Sequence, residues 1–115
     1  LFETVNALSE AVAVAKAAGV DPKLLLETLS KGSADSFALR NHGLKAIVPG
    51  VFPERAFSTE YALKDLSYAL ELAREGGIRL RGAELIGTIL QEAVDAGSGD
   101  NYFPVIARHI GRSSP

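Results

Sequence analysis

Phe57, Lys64 and Asp65 are the residues in the middle of the chain whose types and spacing could do chemistry together. They belong to the segment FSTEYALKDLSYALELA, in which apolar residues recur at the spacing of an α-helix. An ammonium on a long stem can reach a negatively charged ligand, and a carboxylate beside a packed face needs a polar partner. Adjacent helical side chains point about 100° apart, so we do not expect Lys64 and Asp65 to pair with each other. A solvated pair of charges on a helix surface is the alternative interpretation.

The same segment predicts the helix that positions these residues. One apolar face consists of Ala62, Leu63, Leu66, Ala69, Leu70 and Ala73. A second face lies beside it and consists of Tyr61, Asp65, Tyr68 and Leu72. We therefore expect this helix to be packed on two sides and to lie centrally. Ser58 or Thr59 can cap its first turn, and Gly76-Gly77 ends it.

The rest of the sequence predicts further helices and no convincing strand. The predicted helical segments are 1–18, a helix that begins at Asp21-Pro22, 37–48 after a cap at Ser36, 83–96, and a last helix capped by Asp100 or Asn101. The first should be largely buried, with Leu1, Val5, Leu8, Val12 and Ala15 as its apolar seam. Leu24 and Leu85 are among the expected core residues. The prediction is an all-α bundle of about six helices in one domain, residues 1–115.

The irregular connection PGVFPER contains two apolar residues, Val51 and Phe52, that need a surface to pack on. A partner chain could supply it. The chain has no methionine and its helical pattern begins at Leu1, so we expect it to be a fragment of a longer protein.

The composition excludes several classes of function. A net charge of −2 with dispersed lysines and arginines argues against binding to nucleic acid or an anionic membrane. There is no apolar run of ~18 residues, no visible signal peptide and no cysteine, which fits a cytoplasmic protein. His42 and His109 stand in no metal-ligand spacing, and we predict surface or helix-end histidines and no metal site. No G-x-G-x-x-G phosphate loop is present, and Glu84 and Glu92 are predicted to be solvated.

Several short motifs resemble one family when they are taken in order. They are Glu10-Ala11, AKAAGVDP at 15–22, Gly32-Ser33, and Phe-x6-Lys-Asp-Leu-x2-Ala from Phe57. Their order and spacing resemble the C-terminal helical domain of the β-hydroxyacid dehydrogenases, which share a 6-phosphogluconate dehydrogenase-like architecture. That family includes 3-hydroxyisobutyrate dehydrogenase and tartronate semialdehyde (glyoxylate) reductase. The longer helical part of the phosphogluconate dehydrogenases themselves makes them a poor match.

The resemblance implies that the reaction centre lies mainly outside this chain. In the family an N-terminal Rossmann domain holds NAD or NADP. A catalytic lysine, with an asparagine four residues on, opens the long helix that leads into the C-terminal domain. Counting back from Glu10-Ala11, both would fall upstream of Leu1. The resemblance therefore implies no catalytic residue here, and no activity of the chain alone; Lys16, Lys23 and Lys31 do not occupy the matching place.

The residues that the resemblance assigns to a site are Phe57, Lys64, Asp65 and Phe37. It implies that Lys64, with Phe57, contacts the cofactor across the cleft between the two domains. Asp65 would help to shape that cleft, and Phe37 would stand for a bulky aromatic near the substrate pocket. A plain helix-capping loop is the alternative interpretation of the segment from Gly32 to Phe37.

The function that the resemblance implies is part of an NAD(P)-dependent dehydrogenase. The parent enzyme would oxidise a small 3-hydroxy acid, or reduce its semialdehyde, as a cytoplasmic homodimer or homotetramer. The alternative is a stand-alone helical dimerisation or interaction module without catalytic activity. The choice between NAD and NADP, the identity of the acid and the direction of the reaction stay open.

Overall fold

The computed structural model describes residues 1–111, and these are mainly helical. We name the helices α1 (Phe2–Ala17), α2 (Pro22–Leu29), α3 (Leu39–Ile47), α4 (Thr59–Glu75), α5 (Arg81–Ala93) and α6 (Phe103–His109). Helix α3 has π-type hydrogen bonds, α5 continues into a π-type turn at Val94–Ser98, and α6 is a 3₁₀-helix. Within residues 1–111, β-pairing is limited to two isolated bridges. The all-α prediction of about six helices is confirmed.

Side-chain caps fix where three of the helices begin. The carboxylate of Asp21 accepts from the backbone N–H of Lys23 at 3.0 Å, with Pro22 at the first helical position. The Ser36 hydroxyl accepts from the N–H of Leu39 at 3.0 Å. These two predicted caps are confirmed.

Helix α4 has the cap that positions the candidate site residues. The Ser58 hydroxyl accepts from the N–H of Tyr61 at 3.1 Å, so Ser58 rather than Thr59 is the cap. The predicted cap of the last helix is wrong, because α6 begins after Tyr102 with no side-chain cap bond. Asn101 instead donates its side-chain N–H to the carbonyl of Phe52, at 2.9 Å.

The 3₁₀-helix α6, rather than α4, lies at the centre of the fold. Phe103, Val105 and Ile106 are almost completely buried, and α6 packs against α1, α3, α4 and α5. The predicted central position of α4 is wrong. Its first face is covered at Ala62 and Leu66, but the second face is open to solvent. Three of its residues show this: Tyr61, Tyr68 and Leu72 are exposed by 60%, 57% and 70%.

Each helix contributes one face to the core, and several residues that were predicted to be buried lie outside it. On α1 the predicted seam is buried at Val5, Leu8, Val12 and Ala15, whereas Leu1 and Val14 are exposed. Helix α1 is therefore not largely buried, because its neighbours cover one side only.

Three apolar residues outside α1 also differ from the prediction. Leu24 and Leu85 were expected in the core and are exposed. Phe52 is buried within its own chain and needs no partner, while Val51 beside it is exposed. Apolar character predicts that a residue can be buried, but the position of the neighbouring helices decides whether it is.

The glycine inside α3 allows a close approach between two helices. A Cβ added to Gly43 would lie 3.0 Å from Cδ1 of Leu26 on α2 and 3.7 Å from Cδ1 of Leu8 on α1. Both leucines belong to the core, so neither can swing aside freely. Gly43 therefore lowers the helix propensity of α3 and in exchange lets α3 pack tightly.

The Ser58 cap should contribute measurably to stability. We expect Ser58→Ala to lower the free energy of unfolding by about 1 kcal/mol, because the first turn of α4 loses a hydrogen-bond acceptor. Ser67→Ala, inside the same helix, is the matched control and should change stability by less than about 0.5 kcal/mol. Urea unfolding followed by circular dichroism measures both, and equal losses would contradict the capping role.

Candidate functional site

The segment before α4 is held against the segment before α6 by backbone hydrogen bonds. The N–H of Phe103 donates to the carbonyl of Phe57 at 2.8 Å, and the N–H of Tyr102 donates to that of Pro53 at 2.8 Å. The N–H of Thr59 also donates to the carbonyl of Asn101, at 2.9 Å. These bonds fix the start of α4, and with it the predicted site residue Phe57, to the buried helix α6.

Seven rings from four segments of the chain meet around this junction. We call them the aromatic cluster, and its members are Phe2, Phe37, His42, Phe57, Tyr61, Tyr102 and Phe103. The ring of Phe103 is at its base. Its centroid lies between 5.1 and 5.5 Å from those of Phe2, His42, Tyr102 and Phe57. Edge-to-face contacts at such distances hold the rings in defined orientations.

The outer members of the aromatic cluster are open to solvent. Phe37, 69% exposed, has its ring 6.4 Å from that of His42. Phe57, 38% exposed, has its ring 5.1 Å from that of Tyr61. The cluster therefore has a buried base and an exposed apolar surface, which is the character of a binding wall rather than of a closed core.

A hydrogen bond between Tyr102 and His42 adds a polar group to the aromatic cluster. It joins the Tyr102 hydroxyl to Nδ1 of the His42 imidazole. Burial lowers the pKa of His42 and raises the pKa of Tyr102. Burial therefore favours the neutral form of both groups. The phenol donates to Nδ1 in the imidazole tautomer protonated on Nε2, and Nδ1–H donates to the phenol oxygen in the other tautomer.

The structure brings two of the predicted site residues into one cluster and leaves the other two beside it. Phe37 and Phe57 both belong to the aromatic cluster. Lys64 and Asp65 lie three and four residues beyond Tyr61 on α4, and both side chains are exposed. Within residues 1–111 neither forms an ion pair. An exposed ammonium is available to an anionic ligand, whereas Asp65 does not border a packed face as the helical pattern suggested.

His42 is half-buried and does not lie at a helix end. His42 lies inside α3, with its ring packed among Phe37, Tyr102 and Phe103. Its partner is 60 positions away in sequence, so no local pattern could have revealed the pair. His109 does lie at the end of a helix, as predicted, and its Nε2 is 2.8 Å from the hydroxyl of Ser98.

Residues 1–111 contain neither a metal-ligand cluster nor a membrane-spanning helix. No three His, Cys, Asp or Glu side chains in this range come together as a metal ion would need. None of the helices in the same range has the length and apolar character required to cross a membrane.

Comparison with known proteins gives the family. The sequence profile described as "NAD-binding of NADP-dependent 3-hydroxyisobutyrate dehydrogenase" matches residues 2–110. The chain belongs to this family. The predicted resemblance is therefore confirmed at the level of an NAD-binding family of dehydrogenases.

Individual relatives agree with this assignment. An uncharacterized oxidoreductase of Shewanella frigidimarina is 34% identical over 98 residues, which are 85% of this chain and 33% of that protein. The structure of Salmonella typhimurium 3-hydroxyisobutyrate dehydrogenase is similar with a TM-score of 0.86 and 20% identity, over 95% of this chain and 38% of that one. The structure of Mycobacterium tuberculosis 3-hydroxyisobutyrate dehydrogenase with L-serine is similar with a TM-score of 0.82 and 18% identity. The match covers 95% of this chain and 39% of that one. At such identities the structures show the fold, and this chain spans little more than a third of their length.

Burial of His42 predicts a pH dependence of stability. The pKa of His42 in the folded chain is below its unfolded value of about 6.5. As the pH falls below 6.5, the unfolded chain binds a proton that the folded chain does not, so the free energy of unfolding decreases. His42→Gln removes this group. We expect wild type to lose more stability than the variant between pH 7.5 and 5, measured by urea unfolding.

The two pH profiles are compared after subtracting the difference in the free energy of unfolding at pH 7.5, which reports the packing and the Tyr102 hydrogen bond that His42→Gln alters. Parallel pH profiles would show that the folded chain does not disfavour protonation of His42.

Proposed function

We propose that this chain is the C-terminal helical domain of an NAD(P)-dependent β-hydroxyacid dehydrogenase. The observation that supports this most strongly is the family match over residues 2–110. Because the chain spans 33–39% of its relatives, we place the N-terminal Rossmann domain and the catalytic lysine in the rest of the parent protein. The substrate would be a small 3-hydroxy acid or its semialdehyde. No observation favours a stand-alone interaction module.

Lys64 would hold the cofactor from this side of the interdomain cleft. Its side chain is exposed on α4, and an ammonium is suited to the negative charge of a dinucleotide. The bound cofactor supplies the hydride chemistry at its nicotinamide ring. The residues of this chain would bind the cofactor and orient it. Asp65, next to Lys64 and exposed, would shape the cleft and accept a hydrogen bond from a group that enters it.

The exposed side of the aromatic cluster would form the wall of the same cleft. Phe57 stands just before the first turn of α4 and is fixed to α6 through its backbone. Phe37 stands at the other exposed end of the cluster, in contact with His42. Such a wall excludes water from the reacting groups, which strengthens the electrostatic interactions inside the closed cleft.

Replacing Lys64 tests its role in the full-length enzyme. We expect Lys64→Ala to raise the KM for the nicotinamide cofactor about tenfold or more, because a hydrogen-bonded charge pair is lost. The melting temperature should not change, since the side chain packs against nothing that stabilises the fold. Steady-state kinetics with NAD and NADP measure the effect and also decide which of the two is used.

Lys31→Ala is the matched control, because Lys31 is also exposed but lies beyond the end of α2. Equal effects of the two variants, or none of either, would remove Lys64 from the cofactor site. The isolated 115-residue chain should show no turnover, and measurable dehydrogenase activity of that chain would refute the proposed division of roles.

We further propose that the parent enzyme is a homodimer or homotetramer with α1 in a subunit contact. Val14 is exposed on α1 and lines a groove together with Ala17, Phe52 and Ile110. Val51, in the connection beside it, is exposed as well. A partner subunit would cover this apolar surface.

Changing Val14 tests the subunit contact. We expect Val14→Asp to dissociate the full-length protein, because a carboxylate in an apolar interface loses its hydration. Arg74→Asp, a charge change at the exposed end of α4, should leave the assembly intact. Light scattering after size-exclusion chromatography gives the molar mass of both variants. An unchanged mass for Val14→Asp would place the contact elsewhere.

A further inference from the structure

We propose that His42 and Tyr102 form a binding element for the carboxylate of a small organic acid. In this element Tyr102 holds His42 as the tautomer with its proton on Nε2, and that N–H donates to a carboxylate oxygen of the ligand. The inference rests on the proposed function, because it places the ligand's acid group at the cleft wall that contains Phe37 and Phe57.

The hydrogen bond to Tyr102 favours the tautomer of His42 with its proton on Nε2. Nδ1 of a neutral imidazole accepts from the phenol only in that tautomer. In the other tautomer Nδ1–H donates to the phenol oxygen, and the phenol hydrogen, which has no other acceptor within residues 1–111, must be donated to water. Tyr102 therefore positions the donor without touching the ligand itself.

The Nε2–H group of His42 is open to an incoming ligand. Within the part of the chain that the structure describes, only Nδ1 of His42 has a hydrogen-bond partner, and the imidazole is half-buried. His109 differs, because its Nε2 is already occupied by the hydroxyl of Ser98 at 2.8 Å. Of the two histidines, His42 is the one whose Nε2 can bind something outside residues 1–111.

The surroundings of His42 suit a short carboxylic acid. Phe37 and Phe103 contact the imidazole ring and lower the local dielectric constant, so a hydrogen bond there is stronger than in water. The exposed ring of Phe37 can contact the carbon chain of the ligand. A hydrogen bond from this N–H to an ionised acceptor is stronger than one to a neutral acceptor, which favours a carboxylate over an alcohol or amide.

Two cations near this end of α3 have polar partners within the chain. Arg40 donates to the carboxylate of Asp35 at 2.5 Å, and Lys45 donates to the side-chain carbonyl of Asn41 at 3.1 Å. Nε2 of His42 differs in having no partner within residues 1–111.

The test uses the full-length enzyme with two matched probes, 3-hydroxypropionate and its uncharged amide. We expect His42→Leu to raise the KM for the acid about tenfold and to leave the KM for the nicotinamide cofactor unchanged. His42→Gln, which keeps an N–H donor near the position of Nε2, should recover part of the loss. Tyr102→Phe keeps the ring but no longer fixes the tautomer, and should raise the KM severalfold. None of the variants should weaken binding of the amide by more than about twofold.

Tyr68→Phe is the control for loss of a tyrosine hydroxyl, since Tyr68 is exposed on α4 outside the aromatic cluster. The inference is overturned if His42→Leu and Tyr102→Phe change the KM for acid and amide equally, or leave both unchanged. That result would leave the dehydrogenase assignment standing.

A second measurement separates the inference from the proposed function. If the wild-type enzyme oxidises no 3-hydroxy acid, the proposed function fails, and ¹⁵N spectra of the histidine side chains then decide about His42. We expect propionate to shift the Nε2 resonance of His42 and not that of His109. A His42 resonance that does not respond to propionate would overturn the carboxylate site whatever the activity.

Discussion

The packing of Phe103 is the constraint on which the rest of the structure depends. Its ring is 1% exposed, and its backbone N–H is bonded to the carbonyl of Phe57. One residue thus joins the buried helix α6, the start of α4 and the base of the aromatic cluster. Truncating a buried aromatic of this size costs on the order of 3–5 kcal/mol, a large fraction of the stability of a domain of this length. The exposed rings of the aromatic cluster are held in place because they rest on a ring that is packed on all sides.

The parts of the fold that follow from local chemistry could be predicted from the sequence. Asp21, Ser36 and Ser58 cap helices because a short polar side chain can bond the free N–H groups of its own first turn. The predicted burials failed where a second helix was needed to cover an apolar face. Leu24 and Leu85 have the right spacing for a packed face, but both are exposed. The backbone pairing that holds α6 in the centre joins segments more than 40 residues apart, beyond the reach of periodicity.

The residues of the candidate site also fall into those that could be predicted from the sequence and those that could not. Phe57, Lys64 and Asp65 could be found because they lie within nine residues of each other and form a motif. His42 and Tyr102 could not, since each alone is an ordinary residue and the pair exists only after folding. Their positions in sequence carried one weak signal. His42 follows Phe37 by five residues, and Tyr102 stands next to Phe103, so each lies beside an aromatic residue that the core or the cleft requires.

The distribution of charge in the proposed cleft follows from the cost of burying ions. Lys64 stays in solvent on α4, where an ammonium keeps its hydration; in the proposed function a dinucleotide would replace that hydration. A second cation within the apolar wall would have to be desolvated without a permanent partner, which costs several kcal/mol. A neutral imidazole avoids this cost and still donates to an anion. Burial keeps His42 neutral by lowering its pKa, so the environment that makes a cation expensive also provides the neutral donor.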